Sequence, residues 1–424
     1  MYNIGIQRIL SGYKDMILEP IINSLLETDL YKFSMGQCAF HQFNKDRTRW
    51  AFKCRNIGVF FTPEMVQEIK EQIDHYCSLT FTDEELVWLK KNLPWLSEDY
   101  ITNLRYWHPW RNEIFINDPS NEIFNNCGLT IEARGRWVDT SMYEIAILAI
   151  VNEVYFALKY GVGKYEKNFK FNTTEKIKGL IDGKYRLGMF SEFGLRRRYS
   201  SATQDWLIKT LADASKDFKD KFVGTSNVYL AKKYNIRPVG TMAHEYVTVV
   251  GQGHHEHNPA YSNHFMMKYW MKEYETQNGI CLTDTITTDC FLKDFNLTFA
   301  NVFNGVRHDS GDPFEWANKI LNHYKKLGID PKTKTLLFSD SLDFDRATVI
   351  YDTLKDKTNV AFGIGTYLSN DLGVVEPLNI VMKVMYVNDS PVAKLSDVPG
   401  KVMSPDSTYV DYLRRTIEWR MQHE

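Results

Sequence analysis

From residue 188 onward, short apolar runs recur along the chain, each stopping at a polar or small residue and each followed by an amphipathic segment. The runs are 188–193, 222–225, 238–241, 280–284, 305–309, 335–340 and 360–366. Brief apolar runs bounded by turn formers read as strands buried on both faces. Helical patterns lie between several of them, as in 313–327, where Pro313 takes a first-turn position. Strand, polar end and helix in repetition predict a parallel α/β barrel, although a doubly wound open sheet would be written nearly the same way. In either architecture the polar strand ends share the face where loops and helix N-termini converge on a site.

Before residue 136 the pattern is mixed. Helical runs such as 82–91 alternate with short aromatic segments such as 113–116, and 142–158 predicts a long apolar helix of period near 3.6. A chain of 424 residues exceeds one small core, so two or three domains are expected. Aromatic residues make up 14%, with 10 Trp, which suits pockets for planar ligands and disfavours disorder. The net charge of −2 provides no overall field for a polyanion. A nucleic-acid or membrane-surface role would need a local basic patch, and Arg196-Arg197-Arg198 makes a site rather than a groove. Six scattered cysteines without a C-x-x-C pair read as reduced thiols of a cytoplasmic protein. Residues 1–20 lack a signal-peptide core, and no run of 18 uninterrupted apolar residues predicts a membrane span.

Chemistry concentrates at the strand ends. In 305–313, a strand delivers Arg307 and Asp309 to its polar end, Ser310 and Gly311 make a turn, and Pro313 opens a helix. Arg307 suits a carboxylate or phosphate held bidentately, and Asp309 suits ribose hydroxyls or a Mg²⁺-bound diphosphate. The plainer alternative is a helix cap with a surface salt bridge. Gly363-Ile364-Gly365-Thr366 lets backbone N–H groups approach a phosphate, although G-x-G alone more often marks a tight turn. His244, just beyond a strand end, suits a general base, a metal ligand or a nucleophile toward phosphorus, roles that most loop histidines do not have. His254, His255 and His257 lack the spacing of a helical zinc face and read as a solvated loop. Phe193 could stack on an aromatic ring with Arg196 holding an anion; otherwise it is a core residue beside exposed charges.

Together these segments resemble nicotinate phosphoribosyltransferases from about residue 20 to beyond 401. The markers are 28–32, 192–197, 224–227, 240–245, Thr283-Asp284 with Thr288-Asp289, 305–313, 338–340, 362–366, 394–396 and 399–401. The resemblance implies an irregular parallel α/β barrel beside an N-terminal mixed domain onto which the C-terminal tail packs. The expected division is 1–150, 151–370 and 371–424. It further implies a homodimer, with Tyr31 given across the interface to sandwich the pyridine ring against Phe193. Arg307 with Thr241 would hold the nicotinate carboxylate, and Thr225 and Arg196 would also contact substrate. Asp284, Asp309, Ser310 and Gly311 would surround ribose and diphosphate, and Gly363, Gly365 and Thr366 the 5′-phosphate. His244 would be phosphorylated by ATP, with Mg²⁺ as cofactor, in making nicotinate mononucleotide for NAD biosynthesis. Related nicotinamide enzymes, the alternative, carry an Asp after Gly-Thr. Here Ser226 follows Gly224-Thr225, and a hydroxyl can donate to a carboxylate that an Asp would repel. Residues 1–19 have no counterpart, and Tyr367 replaces a basic residue of some relatives.

Overall fold

The computed structural model describes residues 17–123, 127–219, 221–275, 277, 279–398 and 401–424. Residues 1–16 of the N-terminal stretch, and Pro399 and Gly400 of the last motif, lie outside the described residues. The strands in chain order are β1 (Arg47–Cys54), β2 (Ile114–Ile116), β3 (Ile131–Arg136), β4 (Met189–Glu192), β5 (Phe222–Thr225), β6 (Arg237–Pro238), β7 (Ile280–Leu282), β8 (Gly305–His308), β9 (Thr335–Phe338), β10 (Asn359–Ile364), β11 (Ile380–Val387) and β12 (Ser390–Pro391).

The seven apolar runs fall at strands of one parallel sheet, in the order β6-β5-β4-β10-β9-β8-β7, although β6 shares only Pro238 with the run 238–241. Apart from β6, most of their residues are buried, which is why they read as apolar runs rather than alternations. β10 lies between β4 and β9, so the last strand of the series closes on the first. The sheet curls until residues following β6 touch those ending β7 and β8; the Arg307 guanidinium, for instance, donates to Thr241 Oγ1 at 3.0 Å. That curl makes an irregular barrel rather than a doubly wound sheet. The opening falls between β6 and β7, because β6 is two residues long and ends in Pro238, which has no N–H to pair.

The second sheet is antiparallel, in the order β12-β11-β1-β3-β2. β11 returns from the far end of the chain to pair along β1, from Thr48↔Val387 to Cys54↔Ile380, with a register shift at Arg49/Trp50. The final helix, Ser407–His423, lies elsewhere: Leu413 and Ile417 pack with Ala260, Ile286 and Cys290, and Arg420 Nη1 donates to Ala260 O at 2.7 Å.

The apolar helix forms as Tyr143–Tyr160. By length and composition alone the helical stretch Trp137–Tyr160 could cross a membrane, but 83% of its apolar window is buried in the fold. Two of its buried polar residues bond to neighbouring segments. Glu144 accepts from Lys32 Nζ at 2.8 Å, and Asn152 Nδ2 donates to Arg198 O at 2.6 Å.

Candidate active site

A cavity of about 890 Å³ opens where the barrel strands end, walled by the residues after β4, β6, β8, β9 and β10 and by Arg55 and Lys383 of the antiparallel sheet. Phe193 and Tyr31 both line it. A Cβ on Gly363 would meet the Phe193 ring at 2.3 Å, so the glycine lets the ring lie against the strand. Tyr31 begins the helix Tyr31–Gln42, and its segment is pinned to the barrel. Asp29 bridges to Asn227, Leu30 N donates to Ser226 O at 2.9 Å, and a Cβ on Gly240 would touch Tyr31 N at 3.1 Å. Asp29 accepts from Ser226 Oγ at 2.6 Å and from the Tyr31 hydroxyl. Burial raises the Asp29 pKa above the usual carboxylate range, while the two hydroxyl bonds oppose the rise.

Arg307 is held on four sides. Nε donates to Ser339 Oγ at 2.7 Å, Nη1 to Thr241 Oγ1 at 3.0 Å and Met242 O at 3.3 Å, and Nη2 to Asp309 Oδ1 at 2.8 Å. Of the five N–H groups of a guanidinium, one is left for a ligand.

His244 is the first residue of the helix His244–Gln252. Its Nε2 lies 2.9 Å from Asp284 Oδ1 and 3.6 Å from Asp309 Oδ2. Asp284 is also bonded by Ser310 Oγ at 2.6 Å and faces Lys394 Nζ at 3.3 Å. Desolvation and then Lys394 push the His244 pKa down to about 4, outweighing the pull of Asp284. Although buried, Asp284 stays well below the carboxylate range because His244 and Lys394 face it. The imidazole is therefore neutral near pH 7. An Nε2–H directed at an anionic Asp284 leaves the lone pair on Nδ1, the state a nucleophile needs. Glu245, the neighbour in sequence, points away, accepting from Ser141 Oγ at 2.5 Å and Trp137 Nε1 at 3.2 Å.

On the opposite wall, cations crowd one another. Burial, then Arg196 and Arg55, lower Arg197 to about 9. Burial lowers Lys383 to about 8, with Arg196 and Lys394 adding to the fall and Glu144 resisting it. Mutually repelling buried cations mark a place that gains when a polyanion enters.

The family model described as the nicotinate phosphoribosyltransferase (NAPRTase) family matches residues 189–420, and that of its N-terminal domain matches residues 26–152. The chain belongs to the nicotinate phosphoribosyltransferase family. It is 41% identical over 399 residues to nicotinate phosphoribosyltransferase of Ralstonia nicotianae, covering 94% of this chain and 99% of that one. It is 39% identical over 421 residues to nicotinate phosphoribosyltransferase 1 of Pseudomonas aeruginosa, covering 95% and 98%. Among solved structures, a putative nicotinate phosphoribosyltransferase from Saccharomyces cerevisiae superposes with a TM-score of 0.87 at 33% identity, over 95% of this chain and 100% of that one. The Vibrio cholerae nicotinate phosphoribosyltransferase gives 0.85 at 33% identity, over 95% and 96%.

Most residues that the resemblance implied for the site line this cavity, and a few lie behind its wall. Tyr31, which the resemblance implies is given across a dimer interface, lines the cavity of its own chain, where the Asp29–Asn227 bridge ties its segment to the end of β5. Ser226, expected to offer its hydroxyl to nicotinate, lines the cavity and donates that proton to Asp29 Oδ1 at 2.6 Å. Thr225 is fully buried and donates to Glu192 Oε2 at 2.6 Å, behind the wall. Asp284 and Ser310 also lie beneath the surface, and Gly311 turns with φ +86 toward Asp397. Arg196, Thr241, Asp309, Gly365 and Thr366 stand at the cavity or against the groups that line it. Lys176 Nζ sits 3.9 Å over the Tyr367 ring and pairs with Asp371 at 2.7 Å.

Among the described residues, the group able to hold a metal is His244, Asp284 and Asp309, whose ligand atoms lie within 4.8 Å of one another. The histidine loop does not converge: His254 pairs with Asp46 at 3.2 Å, and His257 stacks on Phe265 with centroids 3.7 Å apart. Sequence reasoning passed over Asp29, Lys383 and Lys394 as site residues. Asp29 and Lys394 both stand inside quoted motifs, and a charged residue in such a motif was the available signal.

Proposed function

We propose that this chain joins nicotinate to C1 of the ribose of phosphoribosyl pyrophosphate, giving nicotinate mononucleotide and pyrophosphate, with ATP hydrolysis coupled through phosphorylation of His244. The observation that carries the coupled step is the neutral His244 held through Nε2 by the buried Asp284 at the cavity wall. In the transfer, the pyridine nitrogen forms a bond to C1 as the C1–oxygen bond to diphosphate breaks. Little proton transfer is needed, so catalysis is positioning and stabilisation of the leaving charge. Phe193 and Tyr31 supply faces for the ring, and the remaining N–H of Arg307 supplies a donor to the carboxylate. Nicotinamide, the alternative substrate, offers no charge to Arg307. The crowded cations of the far wall suit the diphosphate, and Gly365 with Thr366 suits the 5′-phosphate.

Mg²⁺ is part of this reading. A hard cation takes oxygen ligands; both oxygens of Asp284 are engaged, by His244 and by Ser310 with Lys394, whereas Asp309 bonds Arg307 and Ser339 through Oδ1 and lines the cavity, so its Oδ2 would face an ion arriving on the diphosphate. When bound, the ion would neutralise charge on the leaving group.

The test is product formation from phosphoribosyl pyrophosphate and Mg²⁺ with nicotinate or nicotinamide, each with and without ATP. Mononucleotide from nicotinate, accelerated by ATP and accompanied by label on His244 from γ-labelled ATP, is the expected result. Preference for nicotinamide would overturn the substrate assignment. Transfer without any ATP effect would overturn the coupling.

A further inference from the structure

Glu144 is the second residue of the helix Tyr143–Tyr160, a position where an acidic side chain ordinarily complements the positive end of the helix dipole. Here its carboxylate is almost wholly buried and meets cations from three other segments. Oε2 accepts from Lys32 Nζ at 2.8 Å. Oε1 accepts from Lys383 Nζ of β11 at 3.4 Å and lies 3.8 Å from Arg196 Nη1, in the turn after β4. Lys32, in the helix Tyr31–Gln42, is fully buried, sits 5.1 Å over the Trp50 ring and also bonds Glu245. Lys383 and Arg196 differ from Lys32 in lining the cavity.

Charge balance decides what this cluster does. Two carboxylates, Glu144 and Glu245, stand against the three cations Lys32, Lys383 and Arg196. Glu245 is engaged by Lys32, Ser141 and Trp137. Among the described residues, Glu144 is the carboxylate that pairs with Lys383 and with Arg196. An unpaired buried ammonium gives up its proton, whereas a fully paired one keeps no charge for a ligand. One carboxylate shared among three cations falls between these limits, and the unmatched positive charge faces the cavity. The other charged groups facing Lys383, namely Arg196, Lys394 and Lys32, are all cations. Burial would raise the Glu144 carboxyl, but Lys32, then Lys383 and Arg196, hold it below the usual range. Arg196 also faces Tyr31, Asp29 and Asp309.

We infer that Glu144 is a positioning residue of the anion-binding wall, its carboxylate fixed by Lys32 and holding the heads of Lys383 and Arg196 at the cavity, where a diphosphate meets them. It does not line the cavity and acts through those two side chains. That the anion is the diphosphate of the substrate rests on the proposed transferase reading. Burial brings Lys383 down to about 8 while Glu144 resists the fall, so removing the Glu144 charge leaves the amine neutral near neutral pH.

The test is inorganic pyrophosphate binding by calorimetry over a series of pH values, on the full chain and on Glu144→Gln, which keeps the size and loses the charge. In the unaltered chain affinity should fall through about 8. In Glu144→Gln that inflection should move down by about 1–3 pH units, the effect of one opposite charge at this range. Near neutral pH the variant should then bind pyrophosphate roughly tenfold more weakly, the scale of one charge-assisted contact. Lys383→Arg supplies the reference. Its guanidinium stays charged, so the pH dependence that remains belongs to pyrophosphate and the rest of the wall, and adding Glu144→Gln to it should move no inflection. If Glu144→Gln fails to fold, Glu144→Asp, which draws the charge back by one methylene, should show a smaller shift in the same direction. Competitive acetylation of the unaltered chain needs no variant: Lys383 should titrate near 8, and titration at the ordinary 10.5 would overturn the inference. An inflection unmoved in the Glu144 variant that folds, or an equal loss of affinity at every pH, would overturn it as well. Failure of the transferase reading would show separately, as absence of mononucleotide from an unaltered chain that keeps its pyrophosphate profile.

Discussion

Replacing Arg307 with alanine separates substrate binding from structural support. The guanidinium commits four donors to Ser339, Thr241, Met242 and Asp309, leaving one for the nicotinate carboxylate. A hydrogen bond between charged groups contributes about 1.5–3 kcal/mol, so removing it should raise the nicotinate KM by about 10- to 150-fold. Nicotinamide, bound at best through a neutral bond of about 0.5–1.5 kcal/mol, should lose only about 2- to 13-fold. The substitution also strips Asp309 of the cation that, against burial, keeps its carboxyl below the usual range. Arg307→Lys controls for this, restoring a charge near Asp309 without the fork that meets four partners. Steady-state KM for both bases, with thermal melting of each variant, gives the separation. A nicotinate KM unchanged in Arg307→Ala, or an equal loss for both bases, would refute the carboxylate assignment.

His244→Ala should retain some nicotinate transfer while losing phosphorylation and ATP stimulation. Asp284→Asn, able to offer its amide to Nε2 and force the proton to Nδ1, should cut single-turnover phosphorylation by roughly 10³-fold or more; phosphorylation at the unaltered rate would dismiss the tautomer argument. Gly363→Ala places a methyl 2.3 Å from the Phe193 ring, which borders the cavity. The ring should therefore swing rather than the strand, raising the nicotinate KM with little change in melting temperature. His244 titrates near 4 against an ordinary value of 6.5, so between those values the unfolded chain binds a proton the folded chain does not, and stability falls as pH drops through that window. ATP-dependent phosphorylation should correspondingly show no acid inflection near 6.5. On the alkaline side, Lys383 loses its charge above about 8, so kcat/KM for phosphoribosyl pyrophosphate should decline there; a flat profile would remove Lys383 from the anion wall.

The sequence by itself determined the elements whose stabilisation is local. Seven apolar runs mark β4 to β10 because strands buried on both faces are apolar up to the polar ends that meet the site. The helix Pro313–Lys326 starts where Pro313 and the Asp312 cap place it, and Asp83–Asn92 starts at a Thr82–Glu85 capping box. The polar face of the barrel was legible for the same reason, and with it Arg307, Asp309, His244 and Phe193.

What only the tertiary structure decided depends on partners remote in the chain. β11 completes the antiparallel sheet by pairing with β1, a match that no periodicity announces. The barrel opens between β6 and β7 because a two-residue strand ending in proline cannot offer an edge. At and beyond the last residue of a strand the alternation of faces no longer decides, so side-chain direction there is set by whatever packs against it. Thr225 therefore turns inward to Glu192, Ser226 gives its proton to Asp29, and Asp284 rather than the adjacent Glu245 orients His244. Tyr31 reaches the cavity of its own chain for the same reason: one bridge to Asn227 fixes where its backbone lies.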